Sequence, residues 1–134
     1  LNLSHTRGHV VKAALEGIGY GICQNLDMIR KAGVELNNIM AVGGGTKSRL
    51  WVQTVSDICG IRQTVPKVTI GASYGDAILA GLGVGIIKSP KDVKKWIEVD
   101  YVTEPNSDHR EVYEKYKKYY AELYQSTKNI MHVL

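Results

Sequence analysis

Apolar residues recur at steps of three and four near the start of the chain. Val11, Leu15, Ile18, Ile22, Leu26 and Ile29 form one stripe, and this period predicts a long helix over residues 5 to 32. Arg30 and Lys31 fill its last turn, and Gly33 suits the position just past the end. Gly17 and Gly21 share a face one turn apart. A mid-helix glycine costs about 1 kcal/mol against alanine, and close packing on another backbone would offset that cost.

The period then shortens. Residues 38 to 42, Asn38 to Val42, read as a short buried strand, and residues 61 to 65 as a second one ended by Pro66. Between them, residues 49 to 59 read as a helix with Trp51, Val55 and Ile58 on one side and Gly60 as its stop. Ser73-x-x-Asp76 has the spacing of a capping box and predicts a buried helix of small residues through Leu82. Ser89-Pro90-x-Asp92 marks a further, short helix that ends near Trp96. Residues 98 to 106 read as a connector containing Pro105, and residues 108 to about 130 as the last helix.

Two strands, each followed by a helix, imply an α/β fold with parallel pairing through a right-handed crossover. Such a pair needs helices on both faces, and enough are predicted. Two strands are few for a sheet. The pattern therefore predicts a part of a larger unit, or a chain that pairs with a second copy as a homodimer. The opening Leu1-Asn2-Leu3 carries no Met and does not read as a signal peptide, which fits a processed product or a piece of something longer.

The 134 residues suffice for one domain, and 44% apolar content supports a core. A net charge of +4 permits anionic ligands without demanding nucleic acid, because basic and acidic residues are interspersed. Cys23 and Cys59 are the only cysteines. With no CxxC spacing they read as two buried reduced thiols, consistent with a cytoplasmic protein. Residues 68 to 87 carry one charge, Asp76, but glycines and polar residues within that run argue against a membrane helix.

The chemistry concentrates at Gly43-Gly44-Gly45, between the apolar run Ile39 to Val42 and the segment Thr46-Lys47-Ser48-Arg49. Glycines lack Cβ, so a ligand can approach the peptide planes closely. The helix that follows offers unpaired N–H groups and a partial positive charge. The spacing is neither that of a Walker loop, which needs Gly directly before Lys where Thr46 stands, nor GxGxxG. Local pattern alone also permits a plain β-to-α turn.

Other candidates are thinner. His5 and His9 lie four apart and could share a metal, but no third ligand is evident, so no metal site is expected. Tyr113, Tyr116, Tyr120 and Tyr124 fall at helical spacing. They read as an aromatic stripe docked on the domain rather than as a base-stacking platform. Asp57 and Asp76 are isolated acids, and no general base or catalytic residue is identifiable.

Several blocks together carry a resemblance. His5-Thr6-Arg7-Gly8-His9, Leu15-Glu16-Gly17, Ala32-Gly33, the run from Gly43 to Gln53, Asp57-Ile58-Cys59-Gly60, Gly75-Asp76-Ala77 and Gly81-Leu82-Gly83 occur in this order. The order resembles the C-terminal part of FGGY carbohydrate kinases, nearest in character to the xylulose kinases, over residues 4 to about 124. The run GGGTKSRLWVQ is its specific part.

The resemblance implies a partial actin-like, ribonuclease H-like ATPase domain. It implies that the glycine turn holds the adenosine end of ATP, with Gly44 and Gly45 central and Gly43, Thr46 and Ser48 beside them. Arg49 stands where some relatives place an adenosine-contacting Asn, and could stack on adenine or face solvent. Such kinases transfer the γ-phosphoryl group to a sugar hydroxyl with Mg²⁺ and an Asp base in a Gly-Asp-Gln-like motif. That motif is missing here: the only Gly-Asp is Gly75-Asp76. The expectation is a kinase segment that binds ATP, lacks the sugar-binding lobe and is inactive alone. The alternatives are a non-catalytic interaction module and the nucleotide-binding segment of another actin-like ATPase. Neither nucleic acid nor membrane is an expected partner.

Overall fold

A computed structural model describes residues 1–37 and 39–133. Its elements are α1 (Arg7–Lys31), β1 (Ile39–Met40), a 3-10 turn (Gly44–Lys47), α2 (Arg49–Cys59), β2 (Gln63–Pro66), α3 (Ala72–Gly83), α4 (Pro90–Val93), β3 (Val99–Thr103) and α5 (Arg110–Met131). Asn38, expected to open the first strand, lies outside the described residues.

The expected parallel pair is present, with Ile39 opposite Gln63 and Met40 opposite Thr64. A third strand joins it. β3 pairs antiparallel with β2, so β2 is the central strand of three. β3 occupies the segment expected to be a connector, and that expectation is corrected. Val99, Tyr101, Val102 and Thr103 are β-branched or aromatic and suit a strand. The acids Glu98, Asp100 and Glu104 and the nearby Pro105 mask the signal.

α2 begins and ends as its sequence dictates. Ser48 caps it by accepting from the Trp51 N–H at 3.3 Å, and Gly60 closes it at φ 60°. Gly33 likewise stands just beyond α1 at φ 87°. At the other end of α1, the His9 ring acts as a cap, its Nδ1 accepting from the Thr6 N–H at 3.0 Å. His5 is turned to Asn2, whose N–H its Nδ1 accepts at 3.0 Å.

The core lies between α1, α2 and α5. Tyr20, Cys23, Val55, Ile58, Cys59, Ile61 and Tyr113 are buried there together. The packed face of α1 is rotated from the expected stripe, since Val11, Ile18 and Ile29 remain exposed. Small residues set this approach. A Cβ on Gly19 would lie 2.7 Å from Ile58 Cδ1, whereas one on Gly17 would meet nothing and one on Gly21 only the Tyr120 hydroxyl at 3.4 Å. The close contact is therefore at Gly19 against a side chain, not at Gly17 and Gly21 against a backbone.

Polar groups knit the elements further. Gln63 Nε2 donates to the Val52 carbonyl at 2.7 Å and to Ser56 Oγ at 3.0 Å, and Ser56 Oγ lies 2.7 Å from Thr103 Oγ1. Among the described residues no buried side-chain polar atom lacks a partner. Cys23 and Cys59 are both free and buried, as expected. Their shared hydrogen bond, together with burial, holds the Cys59 thiol above its ordinary range.

Two further expectations fail at α3. The helix begins at Ala72 with Gly71 before it, two residues too early for Ser73 to cap it, and no side-chain cap forms. None of its residues is buried, and Leu79 is 67% exposed. Among the described residues no helix is long and apolar enough to cross a membrane.

Candidate functional site

The chain leaves β1 and turns sharply at the three glycines. The Ala41 N–H donates to the Thr64 carbonyl at 2.9 Å and the Gly43 N–H to the Thr69 carbonyl at 2.7 Å, so the turn hangs from the β2 side of the sheet. Gly43 sits at φ 93°, a conformation that glycine adopts freely and other residues rarely do. Its carbonyl then accepts twice from Thr46, from the N–H at 3.2 Å and from Oγ1 at 2.7 Å. Ser48 N–H closes the 3-10 turn on the Gly45 carbonyl at 3.1 Å.

Over this turn lies an open depression of about 440 Å³. Gly44, Gly45, Lys47 and Ser48 of the turn line it, together with Trp51 of α2 and Leu15 and Ile18 of α1. Gly44 is bare: a Cβ built there meets no atom within 4 Å. Gly45 is different, because its Cβ would lie 2.9 Å from the Trp51 indole nitrogen. One glycine thus opens the surface and the other makes room for the tryptophan.

The six residues singled out by sequence separate into two groups. Gly44, Gly45 and Ser48 line the depression. Gly43 supplies the bend, and Thr46 is buried as its brace. Arg49 also lies outside the lining: its guanidinium stands 4.5 Å from the centre of the Tyr101 ring. Four lining residues escaped the sequence reading. Lys47 is part of the same motif and could have been included. Leu15, Ile18 and Trp51 read as core from their helical spacing, yet Ile18 is 59% exposed.

The remaining candidates have structural partners. Asp57 is buried and accepts from Gln53 Nε2 at 2.7 Å, from the Asn106 N–H at 2.9 Å and from His109 Nδ1 at 3.2 Å. This ties the start of α5 to α2. Asp76 is exposed. The tyrosine stripe divides: Tyr113 is buried and Tyr120 packs partly on the core, while Tyr116 and Tyr124 stay exposed. Among the described residues no group of three His, Cys, Asp or Glu side chains is placed to hold a metal ion.

Comparison with known proteins defines the class. The fold matches a solved xylulose kinase from Rhodospirillum rubrum at a TM-score of 0.81 and 26% identity, over 98% of this chain and 27% of that one. It matches a Plasmodium falciparum glycerol kinase solved with ADP at a TM-score of 0.70 and 30% identity, over 96% of this chain and 25% of that one. The α/β arrangement is thus that of the actin-like sugar kinases.

In sequence, a xylulose kinase of Staphylococcus epidermidis is 39% identical over 94% of this chain and 26% of its own length. Residues 1–84 match the C-terminal domain of the FGGY family of carbohydrate kinases. The chain belongs to that family. It spans about a quarter of the length of the relatives it matches.

Proposed function

We propose that this chain supplies the adenosine-binding part of an ATP-dependent sugar kinase. The observation that carries the reading is the bare peptide surface at Gly44, on the floor of a depression with an apolar wall. A nucleoside suits such a site. Its base can lie against Leu15, Ile18 and Trp51, while Lys47 and the start of α2 attract the anionic end. A relative solved with ADP supports nucleotide binding by this fold.

The remaining parts of phosphoryl transfer are assigned outside this chain. A base for the sugar hydroxyl would come from the upstream lobe, as would the sugar site. Magnesium, which neutralises phosphate charge in such transfers, has no ligand set among the described residues. The chain alone is therefore expected to bind ATP weakly and to show no sugar-dependent ATP hydrolysis. Within a cell the complete kinase would work in the cytoplasm, where the buried thiols stay reduced.

Gly44→Val provides the test. The site has open space and a backbone angle outside the left-handed region, so the fold should accept the side chain. Calorimetric titration with ATP should show affinity reduced by at least about tenfold, or about 1.4 kcal/mol, with little change in melting temperature. Unchanged affinity in a folded Gly44→Val variant would put the nucleotide elsewhere.

A further inference from the structure

The glycine turn is braced by a contact 55 residues away in sequence, formed outside the lining of the depression. Tyr101, in the middle of β3, donates its hydroxyl to the Thr46 carbonyl at 2.6 Å. The same ring carries the Arg49 guanidinium at 4.5 Å. Thr46 is itself buried and bonded twice to the Gly43 carbonyl. Gly43 is fastened in turn to Thr69. Both flanks of Gly44 and Gly45 are therefore fixed, and β3 fixes one of them.

We propose that Tyr101 is a positioning residue for the nucleotide: it holds the Gly44 and Gly45 peptide planes in their presented orientation, and it engages Arg49 so that Arg49 does not read the base. The inference rests on the glycine turn being the nucleotide site. Its physical basis is preorganisation. A turn already immobilised in the free protein spends less binding energy on being ordered. Burial raises the Tyr101 hydroxyl above its ordinary value, more than the neighbouring Arg49 lowers it, so the group remains a donor at neutral pH.

The test uses the 134-residue chain with ATP and GTP as probes, read by amide NMR titration, alongside amide hydrogen exchange. Tyr101→Phe keeps the ring beneath Arg49 and removes only the bond to Thr46. ATP affinity should fall about three- to tenfold, the worth of one neutral hydrogen bond. Exchange should quicken at the amides of residues 44 to 48 while α2 keeps its protection, a local signature that general destabilisation would not give. Arg49→Met, at an exposed position, should leave the ratio of ATP to GTP affinity unchanged.

Wild-type chain that binds ATP, together with a folded Tyr101→Phe variant within twofold of it, overturns the inference and leaves the nucleotide site standing. So does a changed ATP-to-GTP ratio in Arg49→Met, which would make Arg49 a base reader. If Tyr101→Phe does not fold, hydrogen exchange of the free wild-type chain decides: unprotected Thr46 and Ser48 amides, which bond within the turn, would mean that the turn is not held in advance and would overturn the inference. Wild-type chain that binds neither nucleotide removes the site itself, and this inference with it.

Discussion

At the residue scale, Gly19 and Ile58 set how closely α1 and α2 approach. A Cβ at position 19 would lie 2.7 Å from Ile58 Cδ1, and Ile58 is fully buried. Gly19→Ala should therefore destabilise the chain by about 1–3 kcal/mol through overpacking, despite alanine's better helix propensity. Ile58→Val removes the offending Cδ1. Urea unfolding of the double variant should recover part of the loss, and strictly additive costs would refute the contact. Tyr20 gives a second residue-scale expectation. Burial first, then the nearby Glu16, pushes its phenol up to about 12. The unfolded chain ionises it near pH 10, so the folded state keeps its proton longer. That contribution is complete below about pH 10 and is lost as pH rises through about 12. Stability should fall across this window by on the order of 2 kcal/mol from this group, and Tyr20→Phe should flatten the decline in unfolding free energy.

At the scale of elements, the buried carboxylate of Asp57 joins α2 to the segment leading into α5. Removing it in Asp57→Ala leaves the Asn106 N–H without its acceptor, at a cost of about 1–3 kcal/mol. Hydrogen exchange should quicken first near residues 106 to 110, and uniform acceleration along the chain would contradict this local role. The helices and the parallel strands were legible because their signals are local. Ser48 and Gly60 bound α2, and Pro66 marks the end of β2. β3 was not legible. Its pairing with β2 joins residues 99 to 103 with residues 63 to 66, and no local pattern encodes a partner so far away. The face of α1 was misjudged for a related reason. Periodicity finds the largest apolar residues, but helix approach here is decided by Gly19 and Cys23, which are small.

At the scale of the whole molecule, the glycine turn was visible from sequence and its surroundings were not. Gly44, Gly45 and Ser48 line the depression. Leu15 and Ile18 also line it, and only folding brings that part of α1 to the turn. Arg49, equally prominent in the motif, is engaged by a strand that the sequence hid. The exposed apolar surface of α3 and the residues after it, including Leu79, Val84 and Ile86, fits a chain that is about a quarter of its relatives' length. Nucleotide binding on the glycine turn underlies both the proposed function and the role of Tyr101. Amide and indole NMR spectra of the chain titrated with ATP address it directly. Shifts should concentrate at the amides of Gly44, Gly45, Lys47 and Ser48 and at the Trp51 indole N–H. Shifts confined to the other large cavity, about 810 Å³ between α1 and α5 and lined in part by Lys31 and Lys118, with the turn unmoved, would contradict it.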